Sequence, residues 1–204
     1  SQTAHEHPQI VAESGGEESA VRSAYVPNVG VRVANHSNIS GGGNAFRITT
    51  LNSPVMNAFA VPGGYLYVTR QMLGLMNDEA ELASVLGHEA GHIAARHSSE
   101  RQRTGLLSQL GALLVGVVTG SGQLAQIAAQ GAQIYTLRYS RGQELEADDL
   151  GVRYMAAAGY DPAASPRMLA SLGTWSELEV RFQGREEDQR ATPSWARTHP
   201  LSAD

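Results

Sequence analysis

The chain has 204 residues, enough for one domain with a substantial core. Hydrophobic residues make up 42% and charged residues 17%, a balance that excludes a wholly disordered or fibrous chain. The 15 cations are all Arg, with no Lys, and lie scattered among 20 acids for a net charge of -5, so the concentrated cationic face of a nucleic-acid binder is missing. Cysteine is absent, which excludes a disulfide framework, a thiol nucleophile and thiolate-based metal sites; any metal must be held by His and carboxylates.

Residues 1–20 are polar and read as a lead-in that packs little, ahead of a single domain over 21–204. A short helix is predicted around Val21 to Asn35, then a loop through the three glycines of Ser37 to Asn44. Three β-type runs follow: Ala45 to Leu51, Met56 to Val61 and Tyr65 to Thr69. Asn52-Ser53-Pro54 and Pro62-Gly63-Gly64 separate them with hairpin-type turn chemistry, which predicts a small antiparallel three-stranded sheet. From Asp78 the period becomes helical, with Asp78 and Glu81 as a capping box and the helix running to about His97. Thr104 to Leu137 reads as two helical pieces, and its Leu106 to Val118 run is too short and interrupted to span a membrane. Another helix begins at the Ser140/Gln143 capping pair and stops at Gly159, and a last one covers Pro166 to Phe182. The fold class is therefore α+β, mostly helical. The chain begins at Ser1 without Met, which is compatible with a leader or anchor lying outside it.

Chemistry concentrates in His88-Glu89-Ala90-Gly91-His92, an HExxH pattern. Two histidines four apart on a helix reach one cation, while Glu89, about 100° round, reaches a water beside it without binding the ion itself. Gly87 and Gly91 remove bulk next to the metal-facing positions. A catalytic zinc takes three protein ligands and leaves a position for water. A third His in the HExxHxxGxxH manner is missing, because Ala95 and Ser98 occupy those places, and His97 projects to the wrong side of a continuing helix. His97 is accordingly read as a helix-end or packing residue, and His5, His7 and His36 as surface residues.

Glu144-Leu145-Glu146-Ala147-Asp148 supplies the carboxylates. Glu146, Asp149 and Arg153 share a solvated helical face, whereas Glu144, Asp148, Gly151 and Met155 share one that turns inward. Two carboxylates at i and i+4 on an inward face repel unless a cation accompanies them. Glu144 is thus taken as third ligand and Asp148 as the acceptor that orients His88; a plain acidic helix surface is the competing reading.

These blocks, with Arg96-His97, Asn57-Ala58-Phe59-Ala60, Pro62-Gly63-Gly64 and His199-Pro200, resemble the gluzincin peptidase family of the CAAX prenyl endopeptidase, the HtpX heat-shock protease, the mitochondrial Oma-type proteases and compact bacterial periplasmic members. The resemblance spans about Ala45 to Pro200 and implies a zincin-like metallopeptidase domain, its sheet beside the active-site helix. It implies one Zn2+ per chain on His88, His92 and Glu144, with Glu89 as catalytic base. It also implies a substrate strand along Asn57, Ala58, Phe59 and Ala60, to which an extended polypeptide adds as a further strand. His199 would lie near the metal, filling the open coordination position or donating to the oxyanion, unless it is a tail residue. The activity expected is metal-assisted hydrolysis of unfolded or misassembled polypeptides in the bacterial periplasm or cell envelope, with a peripheral membrane or envelope-assembly partner. A metal-clamped chaperone or scaffold module without proteolytic activity is the alternative, and a small-molecule or cell-wall amidase shares every catalytic residue.

Overall fold

The computed structural model describes residues 2–17, 20–97, 120, 138–182 and 195–200. Its elements in chain order are α1 (Gln2–Glu13), α2 (Ala20–Ala34), a 3-10 turn at Gly42–Ala45, β1 (Arg47–Leu51), β2 (Ala58–Val61), β3 (Tyr65–Thr69), α3 (Arg70–Leu75), α4 (Glu79–Ala94), α5 (Arg141–Ala157), α6 (Ala164–Phe182) and α7 (Trp195–Thr198). The expected Thr104 to Leu137 helices lie outside the described residues. No helix among the described residues is long and apolar enough to cross a membrane.

The sheet is mixed, which corrects the antiparallel expectation. Strand order is β1-β3-β2: β2 and β3 are antiparallel with Phe59 opposite Tyr67, while β1 and β3 are parallel with Thr49 opposite Tyr67. The Pro62-Gly63-Gly64 turn does close a hairpin, with Gly63 and Gly64 at φ 100° and 85°. Asn52-Ser53-Pro54 marks a change of direction only. The chain between β1 and β2 passes the place that β3 later fills, and turn residues carry no information about which strand becomes the neighbour.

Alternation along the strands separates two faces. Ile48, Ala58, Ala60, Leu66 and Val68 face the main core, with Val26, Val29 and Val33 of α2, Leu82, Val85 and Leu86 of α4, Met155 of α5 and Met168 and Leu172 of α6. The opposite face carries Leu51, Tyr65 and Tyr67, covered by Ile10 and Val11 of α1. The segment read as a loose lead-in is therefore a packed helix: His7 is half-buried with Nδ1 2.7 Å from the Tyr67 hydroxyl, and Glu17 bridges Leu51 along the β1 edge. Burying that sheet face drives α1 to dock, a long-range demand that a polar local composition conceals.

The helix that carries HExxH starts where its capping chemistry places it. The Asp78 carboxylate accepts from the Glu81 amide at 2.9 Å, and the Glu81 carboxylate reaches back to the Asn77 amide. In α5, Ser140 and Gln143 form the full reciprocal box, at 3.1 Å and 3.0 Å.

Candidate metal centre

The helices α4 and α5 approach closely because glycines line the crossing. A Cβ on Gly91 would come within 2.9 Å of the Ala147 carbonyl oxygen, and one on Gly151 within 2.8 Å of the Gly87 carbonyl carbon. Backbone contact at this range brings the buried face of α5 onto the histidines of α4. Glu144 Oε2 lies 3.1 Å from His88 Nε2, and Glu144 Oε1 lies 3.0 Å from His92 Nε2. The two Nε2 atoms are themselves 3.0 Å apart. Asp148 Oδ1 stands 2.7 Å from His88 Nδ1.

His199 comes from the far end of the chain into the same centre. It is 1% exposed, and its Nε2 lies 3.0 Å from Glu89 Oε1 and 4.0 Å from Glu144 Oε1. The tail-residue reading of His199 is thereby corrected. Two backbone bonds hold it there: the Trp195 amide donates to the Met56 carbonyl at 2.8 Å, and the Tyr139 amide donates to the Thr198 carbonyl at 2.9 Å. Trp195 stacks on His199 at 3.8 Å and 8°, and Tyr139 stacks on His92 at 3.6 Å and 12°. Neither aromatic stood out in the sequence; a Trp four residues before His199 was the one available signal.

His97 and Glu146 meet beside the centre. The helix ends at Ala94, and Arg96 takes a left-handed φ of 59°, so helical projection stops applying before His97. His97 folds back, fully buried, with Nδ1 2.8 Å from His92 Nδ1 and Nε2 2.9 Å from Glu146 Oε2. Asp149 and Arg153 pair at 2.9 Å on the solvated face as expected, and Glu146, exposed on the same face, meets His97.

Donor atoms of His88, His92, Glu144 and His199 all lie within 4.8 Å of one another, and all four residues are buried. The closest pairs, at 3.0 Å and 3.1 Å, approach the ligand–ligand edge of about 3.3 Å that zinc bonds near 2.0–2.1 Å imply for a tetrahedron. Both carboxylate oxygens of Glu89, Glu144 Oε1 and His199 Nε2 are buried without a well-directed hydrogen bond. Their short ion-pair distances are thus close approaches with poor angles, the pattern left when donors converge on a shared centre. The residues fit a divalent metal. Burial pushes the His88 imidazole down, but hydrogen bonds to Asp148 and Glu144 outweigh it and raise it to about 10.

Of the expected substrate strand, Ala58 to Ala60 lie in β2, with Asn57 just before it, and β2 is an edge of the sheet. It packs against α4 through Ala58 and Ala60, while Phe59 on the other face stacks on Tyr67 at 4.8 Å.

Comparison with known proteins agrees with this geometry. The mitochondrial metalloendopeptidase OMA1 of Arabidopsis thaliana is 33% identical over 132 residues, 64% of this chain and 26% of that protein. The beta-barrel assembly-enhancing protease of Yersinia pestis is 30% identical over 187 residues, 87% of this chain and 36% of that protein. Human mitochondrial OMA1 is 30% identical over 162 residues, 75% and 29% of the two chains. The chain thus spans between 26% and 36% of the length of these relatives. Residues 20–204, which carry both helices of the centre and His199, match the profile of Peptidase family M48, and the chain belongs to that family.

Proposed function

We propose that this domain is a zinc-dependent endopeptidase, one Zn2+ per chain, that hydrolyses peptide bonds of unfolded or misassembled polypeptides. The observation that carries the reading is the buried convergence of two imidazoles and a carboxylate beside a second, unsatisfied carboxylate, Glu89. His88, His92 and Glu144 would hold the ion. Zinc bound there supplies Lewis acidity toward a carbonyl oxygen and lowers the pKa of water. Glu89 accepts the proton of the attacking water and returns it to the leaving nitrogen. Asp148 fixes His88 through Nδ1 so that Nε2 faces the ion. Among the described residues β2 pairs with a strand on one side only, and its other side would offer backbone groups to an extended polypeptide lying beside α4, with Ala58 and Ala60 turned to the core and Phe59 outward.

His199 is assigned the donor role toward the developing oxyanion, supported by its burial at the centre. A second reading of His199 has the same closeness in its favour: as a fourth donor it would fill the open coordination position and hold the enzyme shut. The names of the bacterial relatives, which refer to β-barrel assembly, support work in the bacterial envelope with an assembly partner.

The deciding experiment is metal analysis with a proteolysis assay on an unfolded polypeptide. Glu89→Gln retains stoichiometric zinc and loses turnover by about 100-fold or more, and His92→Ala loses both. A Glu89→Gln protein as active as its parent overturns the assignment.

A further inference from the structure

We propose that His97 and Glu146 are positioning residues that set which ring nitrogen of His92 carries its proton. The inference rests on the reading of His92 as a metal ligand through Nε2. His92 Nδ1 and His97 Nδ1 face each other at 2.8 Å, so one hydrogen lies between them. His97 Nε2 faces Glu146 Oε2 at 2.9 Å, and an ionised carboxylate only accepts. Glu146 therefore holds the His97 proton on Nε2. His97 Nδ1 is left bare and accepts from His92 Nδ1–H. His92 Nε2 then presents a lone pair toward His88 Nε2 and Glu144 Oε1, each 3.0 Å away.

The opposite polarity fails. With its proton on Nδ1, His97 would donate to His92, whose own hydrogen would move to Nε2 and fill the position a cation needs. His88 obtains the same control directly from Asp148, at 2.7 Å. His92 is 0% exposed and obtains it through an intervening imidazole that carries the effect out to Glu146, whose side chain is 59% exposed. The left-handed turn at Arg96 makes this reach possible from just beyond the helix that bears His92.

The test measures zinc affinity of the full chain by chelator competition, with 15N chemical shifts of the imidazoles reporting the tautomers. His97→Leu is expected to weaken zinc about 10–100-fold, and His97→Asn, whose amide oxygen can accept in place of Nδ1, to restore most of it. Glu146→Gln still accepts and stays within about threefold of the parent, whereas Glu146→Lys donates instead and falls as far as His97→Leu. Because Glu146 is exposed, its variants fold even if His97→Leu does not. Asp149→Lys makes the same charge change on an exposed position of α5 and is expected to have little effect, separating proton polarity from net charge. Parent-like affinity in both His97→Leu and Glu146→Lys, or a His97 ring protonated on Nδ1 alone, overturns this inference while leaving the metal site intact. A parent chain that binds no zinc overturns the site and the inference together.

Discussion

Gly151 stands directly against the backbone of His88: a Cβ at position 151 would lie 2.7 Å from the His88 amide nitrogen. The contact sets the distance between the helix that supplies both imidazoles and the helix that supplies Glu144 and Asp148. Gly151→Ala is expected to force the helices apart, costing about 1–3 kcal/mol of stability and weakening zinc as the carboxylates withdraw. Gly142→Ala, where an added Cβ meets only Ser140 Oγ at 3.9 Å, is the control and should be neutral or mildly stabilising. Thermal melting and chelator competition on the two variants measure both effects.

Arg96 adopts its left-handed conformation with an exposed side chain, so glycine there relieves backbone strain at little other loss. Arg96→Gly should raise stability by up to about 1 kcal/mol and leave zinc affinity unchanged. Arg96→Val, β-branched at a positive φ, should lower stability and weaken zinc by displacing His97. Denaturant midpoints and metal titrations read the contrast.

His199 separates an open centre from a closed one. In the donor role, His199→Ala lowers kcat about 10–1,000-fold with zinc affinity nearly unchanged. In the ligand role it weakens zinc and leaves or raises turnover. Trp195→Ala removes the ring stacked on His199 and a buried side chain, so it should cost about 3–5 kcal/mol and reproduce part of the His199→Ala effect. Kinetics combined with metal analysis distinguish the cases.

Glu79 ties α2, α4 and the connection between α5 and α6 together: the hydroxyls of Tyr25 and Tyr160 and the Arg32 guanidinium all donate to its carboxylate. Those hydrogen bonds, Tyr25 first, hold its carboxyl below the ordinary 4.5, while burial foremost pushes the Tyr160 hydroxyl up to about 12. A lowered carboxyl contributes stability above its unfolded value and loses it as pH falls through the folded value. Glu79→Gln should therefore destabilise at pH 7, by about 1 kcal/mol or less because the carboxylate is partly exposed and screened. The difference from the parent should vanish in acid below the folded value. Urea denaturation of both proteins across that pH range checks the sign.

The HExxH helix with its Asp78 cap, the Ser140/Gln143 capping box, the Glu144/Asp148 face and the α+β class were legible in the residues, because each is a local pattern: a period, a cap or an i, i+4 spacing. The route by which His97 reaches His92 was not, since one left-handed residue at Arg96 redirects the chain and helical projection has no means of showing it. Sequence by itself determined the spacing of His88, Glu89, His92, Glu144 and Asp148 and the helical faces that present them. Tertiary structure alone decided that β3 lies between β1 and β2, that α1 covers the outer sheet face, that Tyr139 and Trp195 stack on His92 and His199, and that Glu146 meets His97. These relations depend on contacts between residues far apart in the chain, and such contacts are selected by burial of complementary surfaces, which local composition does not encode.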